Sequence, residues 1–151
     1  MKWLGAVLFV GCVASAGAGD DRKDEMRKLE GAWKIESVVL SGKKQEAGGG
    51  APDRAVIKDG KVTFFAGGKE MPTFRDLSIE LDPAKKPKAM DLVRGGKEDL
   101  PCIYEVSADE LKVAMPLAPA KLKPGEKLVR PESFDSKDKP FLVLTAKRDK
   151  K

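Results

Sequence analysis

The sequence predicts an all-β protein of eight short antiparallel strands preceded by a short N-terminal helical turn, arranged either as a closed barrel or as a sandwich. Apolar residues alternate with polar ones in short runs from Trp33 onward, which is the period of a half-buried strand. Turn residues separate nearly all of these runs, since glycine and proline together make up 25 of the 151 residues. Eight strands is also the number at which a barrel interior is filled by side chains or holds one small ligand.

The predicted strands follow one another with few long connections. They cover residues 33–40, 55–58, 61–66, 72–82, 89–94, 100–106, 111–115 and 140–147. Asp59 and Gly60 supply the positive φ angles of a tight hairpin turn. Residues 20–30 predict a short helical turn or lead-in, because Met26 and Leu29 are spaced by three. Residues 42–54, with three consecutive glycines, predict a flexible loop over one mouth of the barrel.

Alternation along these strands also predicts which side chains fill the barrel. The predicted inward-facing residues are Trp33, Ile35, Val56, Val62, Phe64, Phe74, Leu77, Ile79, Leu81, Leu92, Tyr104, Val106, Leu111, Val113, Leu142 and Leu144.

The first 18 residues have the order of a secretory signal peptide. Lys2 precedes an apolar run from Trp3 to Val13, and small residues with A-x-A spacing follow. The run is too short for a resident membrane span. We therefore predict residues 1–18 as a signal peptide, 19–26 as a flexible lead-in and 27–148 as the barrel of an exported protein, periplasmic or secreted. A rival interpretation makes Cys12 a lipidated N-terminus.

The composition argues against several classes of chemistry. The chain has no histidine, which removes the commonest general base and the commonest metal ligand. Without Cys12, Cys102 is the one remaining cysteine, and we predict it to be a small buried side chain. No segment has the spacing of a zinc or calcium site. We therefore predict no enzyme activity, no metal and no cofactor.

Positive charge is present but not clustered like that of a nucleic-acid-binding face. The formal charge is +5, from 29 basic and 24 acidic residues that are interspersed. The most basic run, Lys85-Lys86-Pro87-Lys88, lies between two predicted strands. Pro87 within the run and Pro83 just before it suit a turn rather than a sheet ladder, and the lysines at the tip keep the turn in solvent. We predict no nucleic-acid partner.

Three segments together resemble a known family. They are L-E-G-A-W at residues 29–33, L-D-P-A-K-K-P-K-A-M-D-L at 81–92, and C-I-Y-E-V at 102–106 followed by D-E-L-K-V at 109–113 and R-P-E-S-F at 130–134. This order resembles the bacterial lipocalin-like domains of unknown function found in exported proteins, over residues 27–148. The resemblance implies an antiparallel eight-stranded calycin-type barrel, and on this ground we predict the barrel rather than the sandwich. In such a barrel the G-x-W tryptophan, Trp33, would close one end beneath a basic side chain near the last strand. Arg148 and Lys147 are the candidates, and we expect Trp33 and Arg148 to form a structural latch by cation–π packing.

Two functions remain open on the sequence. The barrel interior, with Trp33, Phe64, Phe74 and Tyr104, is the predicted ligand-binding site for a small hydrophobic molecule. The alternative is a structural or protein-interaction module outside the cytoplasm, with a filled core and no ligand. Its surface would be residues 116–139, which carry Lys121, Lys123, Lys127 and Arg130, unless this segment plugs one end of the barrel.

Overall fold

Strands account for most of the structure, as the two-residue alternation predicts. The computed structural model describes residues 18–45, 50–75, 77–95, 98–117 and 125–150. One α-helix, α1 (Ala18–Leu29), precedes ten strands, and a short 3-10 helix covers Pro72–Phe74. The strands are β1 (Gly31–Leu40), β2 (Lys43–Gln45), β3 (Arg54–Lys58), β4 (Lys61–Ala66), β5 (Lys69–Glu70), β6 (Leu77–Asp82), β7 (Ala89–Arg94), β8 (Glu98–Val106), β9 (Glu110–Pro116) and β10 (Phe141–Arg148).

Eight of these strands close into an antiparallel barrel, which confirms the predicted fold class. The order around the barrel is β1, β3, β4, β6, β7, β8, β9 and β10, and β10 returns to pair with β1. The closing ladder runs from Trp33 opposite Arg148 to Leu40 opposite Leu142, with an irregularity between Ile35 and Ser37. The short strands β2 and β5 extend β1 and β4 outside this circle.

The two ends of the barrel differ. At one end, which we call the helix end, α1 lies near the connections β3–β4, β6–β7 and β8–β9. Met26 reaches Gly60 of the β3–β4 turn, and α1 contacts β6 and β8. The connections that leave β1, β4, β7 and β9 lie at the opposite end, which we call the loop end.

Inward-facing apolar side chains form one core that includes most of the predicted interior. Val56 is the exception, and its predicted inward position is wrong. Its neighbours Ala55 and Ile57 are buried in the core, and because side chains alternate along a strand, Val56 faces outward. The three central residues of β3, 55–57, are all apolar, so alternation did not show which of them face the core and which face outward.

Helix α1 is longer than the helical turn that the sequence predicted. Residues 19–26, predicted as a flexible lead-in, lie within it. Its first turn carries Asp20 and Asp21, and its last turn carries Arg27 and Lys28, an arrangement that complements the helix dipole. Leu29 is fully buried and Met26 packs against the core, so the helix has a narrow apolar edge.

The turns account for the remaining differences from the predicted elements. Asp59 and Gly60 both have positive φ, 51° and 72°, as the predicted hairpin requires. Strand β2 lies inside the predicted 42–54 loop, whose residues 46–49 are outside the described part of the chain. The 3-10 helix Pro72–Phe74 takes the start of the predicted strand 72–82, because its proline cannot donate to a sheet ladder.

Candidate functional site

Trp33 lies at the helix end of the barrel and is fully buried. Its indole Nε1 donates a hydrogen bond of 2.7 Å to the carbonyl of Leu29, the last residue of α1. The Arg148 guanidinium carbon lies 4.2 Å from the centroid of the Trp33 ring. The structure therefore brings together the two residues of the expected latch.

Arg148 also bonds to three backbone carbonyls. Its Nη2 and Nη1 donate to Lys28 and Glu30 at 2.7 and 2.8 Å, and its Nε donates to Ala108 at 2.7 Å. Carbonyls at a helix C-terminus have no partner within the helix, so Arg148 supplies partners at the end of α1. The other candidate, Lys147, faces the opposite way and lies 3.4 Å from a Glu36 carboxylate oxygen.

The glycine of the G-x-W motif makes room for this arrangement. Gly31 has a φ of +122°, and a Cβ atom there would lie 2.9 Å from Nη1 of Arg148. Any side chain at residue 31 would therefore compete with the guanidinium for space and strain the backbone.

Glu25 is the residue at the helix end that the sequence did not single out. Only 5% of its surface is exposed. The Tyr104 hydroxyl donates a 3.0 Å hydrogen bond to its carboxylate, and the ammonium groups of Lys28 and Lys88 lie 2.8 and 3.0 Å away. Burial alone raises the pKa of Glu25, but the bonds from Lys28, Lys88 and Tyr104 outweigh burial and lower it below the ordinary value. Burial of the Tyr104 hydroxyl, together with its hydrogen bond to Glu25, raises the pKa of Tyr104.

This network also places the basic run of the β6–β7 connection. Lys85 is exposed and lies 3.9 Å from an Asp82 oxygen, as expected of a solvated turn. Lys88 instead forms the ion pair with buried Glu25, and its carbonyl accepts the Tyr104 backbone N–H. One lysine of the run thus fastens α1 to the barrel.

Phe64 and Phe74, the other two predicted ligand-binding residues, lie toward the loop end. Their rings meet edge to face with centroids 5.6 Å apart. Two apolar cavities lie beside them, one of about 30 Å³ and one of about 60 Å³. Side chains of Phe64, Leu92, Met115 and Leu144 border both.

The four predicted ligand-binding residues therefore do not form one site. Phe64 and Phe74 border the larger cavity, whereas Trp33 and Tyr104 border neither and are covered at the helix end. Alternation correctly indicated that Trp33, Phe64 and Tyr104 face inward. It carried no information on height along the barrel axis, which depends on the register between strands.

Cys102 lies in the core and is fully buried. Burial raises the pKa of its thiol to about 12. A group with this pKa stays protonated at neutral pH, and the thiolate is the nucleophilic form of cysteine.

The described part of the β9–β10 connection lies both against the outer wall of the barrel and at its loop end, where the Gly42 N–H donates to Ser136 Oγ and the Ser41 hydroxyl donates to the carbonyl of Lys139. Phe134 packs outside the barrel on Ile103, Ala114, Phe141 and Val143, which face outward from β8, β9 and β10. The expected interaction residues in this connection have different positions. Lys121 and Lys123 lie outside the described residues, and Lys127 is exposed.

Arg130 of this connection is held by the barrel wall. It donates to the carbonyl of Cys102 and to a carboxylate oxygen of Asp91, both at 2.6 Å. Its guanidinium is therefore committed to internal bonds. Val129 beside it is 81% exposed, the single large apolar side chain with such exposure in the described part of the chain.

Among the described residues, no three acidic or cysteine side chains lie close enough together to hold a metal ion. None of the helical segments described is long and apolar enough to cross a membrane. The predicted signal peptide and Cys12 lie outside the described residues, apart from Ala18.

Comparison with known proteins returned no match to a family model, a curated protein or a solved structure. The resemblance to lipocalin-like domains therefore stays a prediction.

Proposed function

We propose that this protein is a non-enzymatic barrel that acts outside the cytoplasm as a structural or interaction module, through its outer surface. The observation that carries the proposal is the filled interior. Binding pockets for small molecules typically enclose about 300–1,000 Å³. The two cavities bordered by described residues, of about 30 and 60 Å³, are far smaller, and the buried apolar side chains of the core pack around them.

The helix end supports the same proposal. Helix α1 covers the end of the barrel at which Trp33 and Tyr104 lie, and Glu25, Lys88 and Arg148 fasten it there. These two aromatic rings serve to anchor the helix and are not accessible to a ligand from that side.

A role without catalysis is supported by the chemistry of the side chains. The sequence contains no histidine, and the Cys102 thiol is buried with a raised pKa. Action outside the cytoplasm is supported by the order of charge, apolar run and small residues in the first 18 positions. Lipidation at Cys12 would anchor the same module to a membrane surface.

Binding of a compact apolar molecule is the second candidate function. The two cavities share four wall residues, and Met115 among them has the flexible side chain that most readily changes shape. Its displacement would join the cavities beneath the loop end. No polar group lines this space, so a ligand there would be a small hydrocarbon-like molecule.

Native mass spectrometry of the protein, purified without denaturation and then exposed to a lipid extract, decides between the two candidates. We expect the mass of the polypeptide alone. The variant Met115→Ala provides the matched control. It removes part of the wall between the two cavities and should therefore take up benzene or xenon, which the wild type excludes. A ligand retained by the wild type at one-to-one ratio would overturn the filled-barrel proposal.

A further inference from the structure

A row of three positive charges crosses neighbouring strands on the outer wall of the barrel. Lys147 of β10 lies directly opposite Lys34 of β1, and Lys34 lies directly opposite Arg54 of β3. All three face outward, because each is adjacent to a residue that faces the core. Neighbouring strands are about 4.8 Å apart, so the backbones of these three residues follow one another at about that spacing.

A second pair of lysines lies on the same wall. Lys58 and Lys61 are opposite each other on β3 and β4, on either side of the Asp59-Gly60 turn. We call the five residues Lys34, Arg54, Lys58, Lys61 and Lys147 the basic wall.

An uncharged strip separates the row of three from this pair. It consists of Ala32, Val56 and Thr63, which lie opposite one another on β1, β3 and β4. Phe65, opposite Arg54, is half-buried at the edge of the strip.

Acidic side chains neutralise only part of the basic wall. Arg54 lies 3.5 Å from an Asp149 oxygen, and Lys147 lies 3.4 Å from a Glu36 oxygen. Within the described residues, Lys34, Lys58 and Lys61 have no ion pair. Like charges directly opposite each other destabilise a sheet. The three unpaired lysines therefore weaken the fold when no anion is present.

We propose that the basic wall binds an acidic polysaccharide, a linear sugar polymer with carboxylate or sulfate groups. The proposal rests on the proposed function, in which the protein acts through its outer surface. Anionic groups of an extended chain would pair with the row and with Lys58 and Lys61. The sugar rings would pack on the uncharged strip and on Phe65. A polymer made only of phosphate groups has no apolar face to pack there.

Affinity for labelled alginate and for heparin tests the charge requirement. Alginate carries carboxylates alone, whereas heparin carries both carboxylates and sulfates, so the comparison shows whether sulfate adds to binding. We expect Lys34→Gln to weaken binding about threefold and to lower the slope of log affinity against log salt by about one. The double variant Lys58→Gln with Lys61→Gln should weaken binding about tenfold. The control is Lys85→Gln with Lys86→Gln, which removes two charges from the β6–β7 connection, and we expect less than about a twofold change. Equal losses in the control and the test variants would overturn the proposal.

A stability measurement separates a binding role from a structural one. Because Lys34 is repelled by both neighbours, Lys34→Glu should raise the urea midpoint while it weakens polymer binding. A lowered midpoint would show that Lys34 supports the fold, and the proposal would fail.

The class of polymer is tested at Phe65. Phe65→Ala should weaken binding of alginate and heparin but leave binding of polyphosphate unchanged. An equal loss for polyphosphate, or tighter wild-type binding to polyphosphate or polyglutamate than to both sugar polymers, would overturn the assignment to polysaccharide. A retained ligand in native mass spectrometry would instead overturn the proposed function, whatever the polymers do.

Discussion

Arg148 combines a packing role and a hydrogen-bonding role in one side chain. Its guanidinium covers the Trp33 ring and donates to carbonyls of Lys28, Glu30 and Ala108. The guanidinium is planar and has five N–H donors, so it can bond three separate acceptors while it stacks on a ring. The ammonium group of lysine is not planar and cannot take up this arrangement.

We expect Arg148→Met to lower the free energy of unfolding by about 2–4 kcal/mol, from the lost cation–π contact and hydrogen bonds. Arg148→Lys should recover less than half of this loss. Urea unfolding followed by Trp33 fluorescence measures both. The neighbouring variant Lys147→Met is the control and should change the free energy by less than about 0.5 kcal/mol. An Arg148→Met midpoint equal to that of the wild type would rule out the latch.

The pairing of Trp33 with Arg148 was open to prediction because it follows from a short motif and the position of the last strand. Glu25 was not predicted, since it lies among several similar charged residues. A signal was nevertheless present: Glu25 precedes Leu29 by four residues and so shares its helix face. Sequence alone does not show that this face meets Tyr104, which lies 79 residues further along the chain.

At the level of elements, helix α1 depends on charge as well as on apolar packing. Met26 and Leu29 are its apolar contacts with the core, and Glu25 is held by Lys28, Lys88 and Tyr104. We expect Glu25→Gln to lower the free energy of unfolding by about 1–3 kcal/mol at pH 7.

The same network predicts how stability depends on pH. The pKa of Glu25 is lower in the folded chain than in the unfolded chain, so its carboxylate stabilises the fold above the unfolded pKa of about 4.5. This contribution disappears as the pH falls through the folded pKa. Urea unfolding at pH 7 and at pH 3 should therefore show a smaller difference between wild type and Glu25→Gln at pH 3. Asp24→Asn, at an exposed position on the same helix, is the control. A difference that is unchanged at pH 3 would contradict the ion-pair explanation.

The bounds of a strand were predictable where turn residues flank it and less predictable elsewhere. Strands β4 and β7 have the predicted bounds, because Gly60, Gly67 and Gly95 adopt positive φ at their ends. Strand β2 was hidden in a segment without apolar alternation. It forms because Ser41 and Gly42, both with positive φ, reverse the chain after β1.

At the level of the whole molecule, Cys102 reports on the integrity of the barrel. It lies in the single core and is fully buried, with a thiol pKa of about 12. In a variant with Cys12→Ser, we expect a disulfide reagent to modify Cys102 only in molecules whose barrel has opened. The urea dependence of modification should then match that of Trp33 fluorescence. Rapid modification of the folded protein would show that the core is accessible near Cys102.

Barrel closure was predicted from the resemblance, since strand number and turn spacing also suited a sandwich, and interior volume was not predicted. The cavities near Phe64 depend on the side-chain conformations of Leu92, Met115 and Leu144, which come from three different strands. Alternation assigns these residues to the interior and leaves open how completely they fill it.

The pairing of β1 with β10 has a consequence for synthesis of the chain. Glu30 and Arg148 lie 118 residues apart, yet the guanidinium of the second bonds the carbonyl of the first. Strand β1 cannot complete its pairing until β10 has been synthesised, so a nascent polypeptide whose β10 is still inside the ribosome has no closed barrel. Most of the polypeptide must therefore emerge before the native ladder forms, and contacts between such distant residues make folding slow. Until β10 has emerged, the chain has no closed barrel and can still pass through a narrow channel as an extended polypeptide.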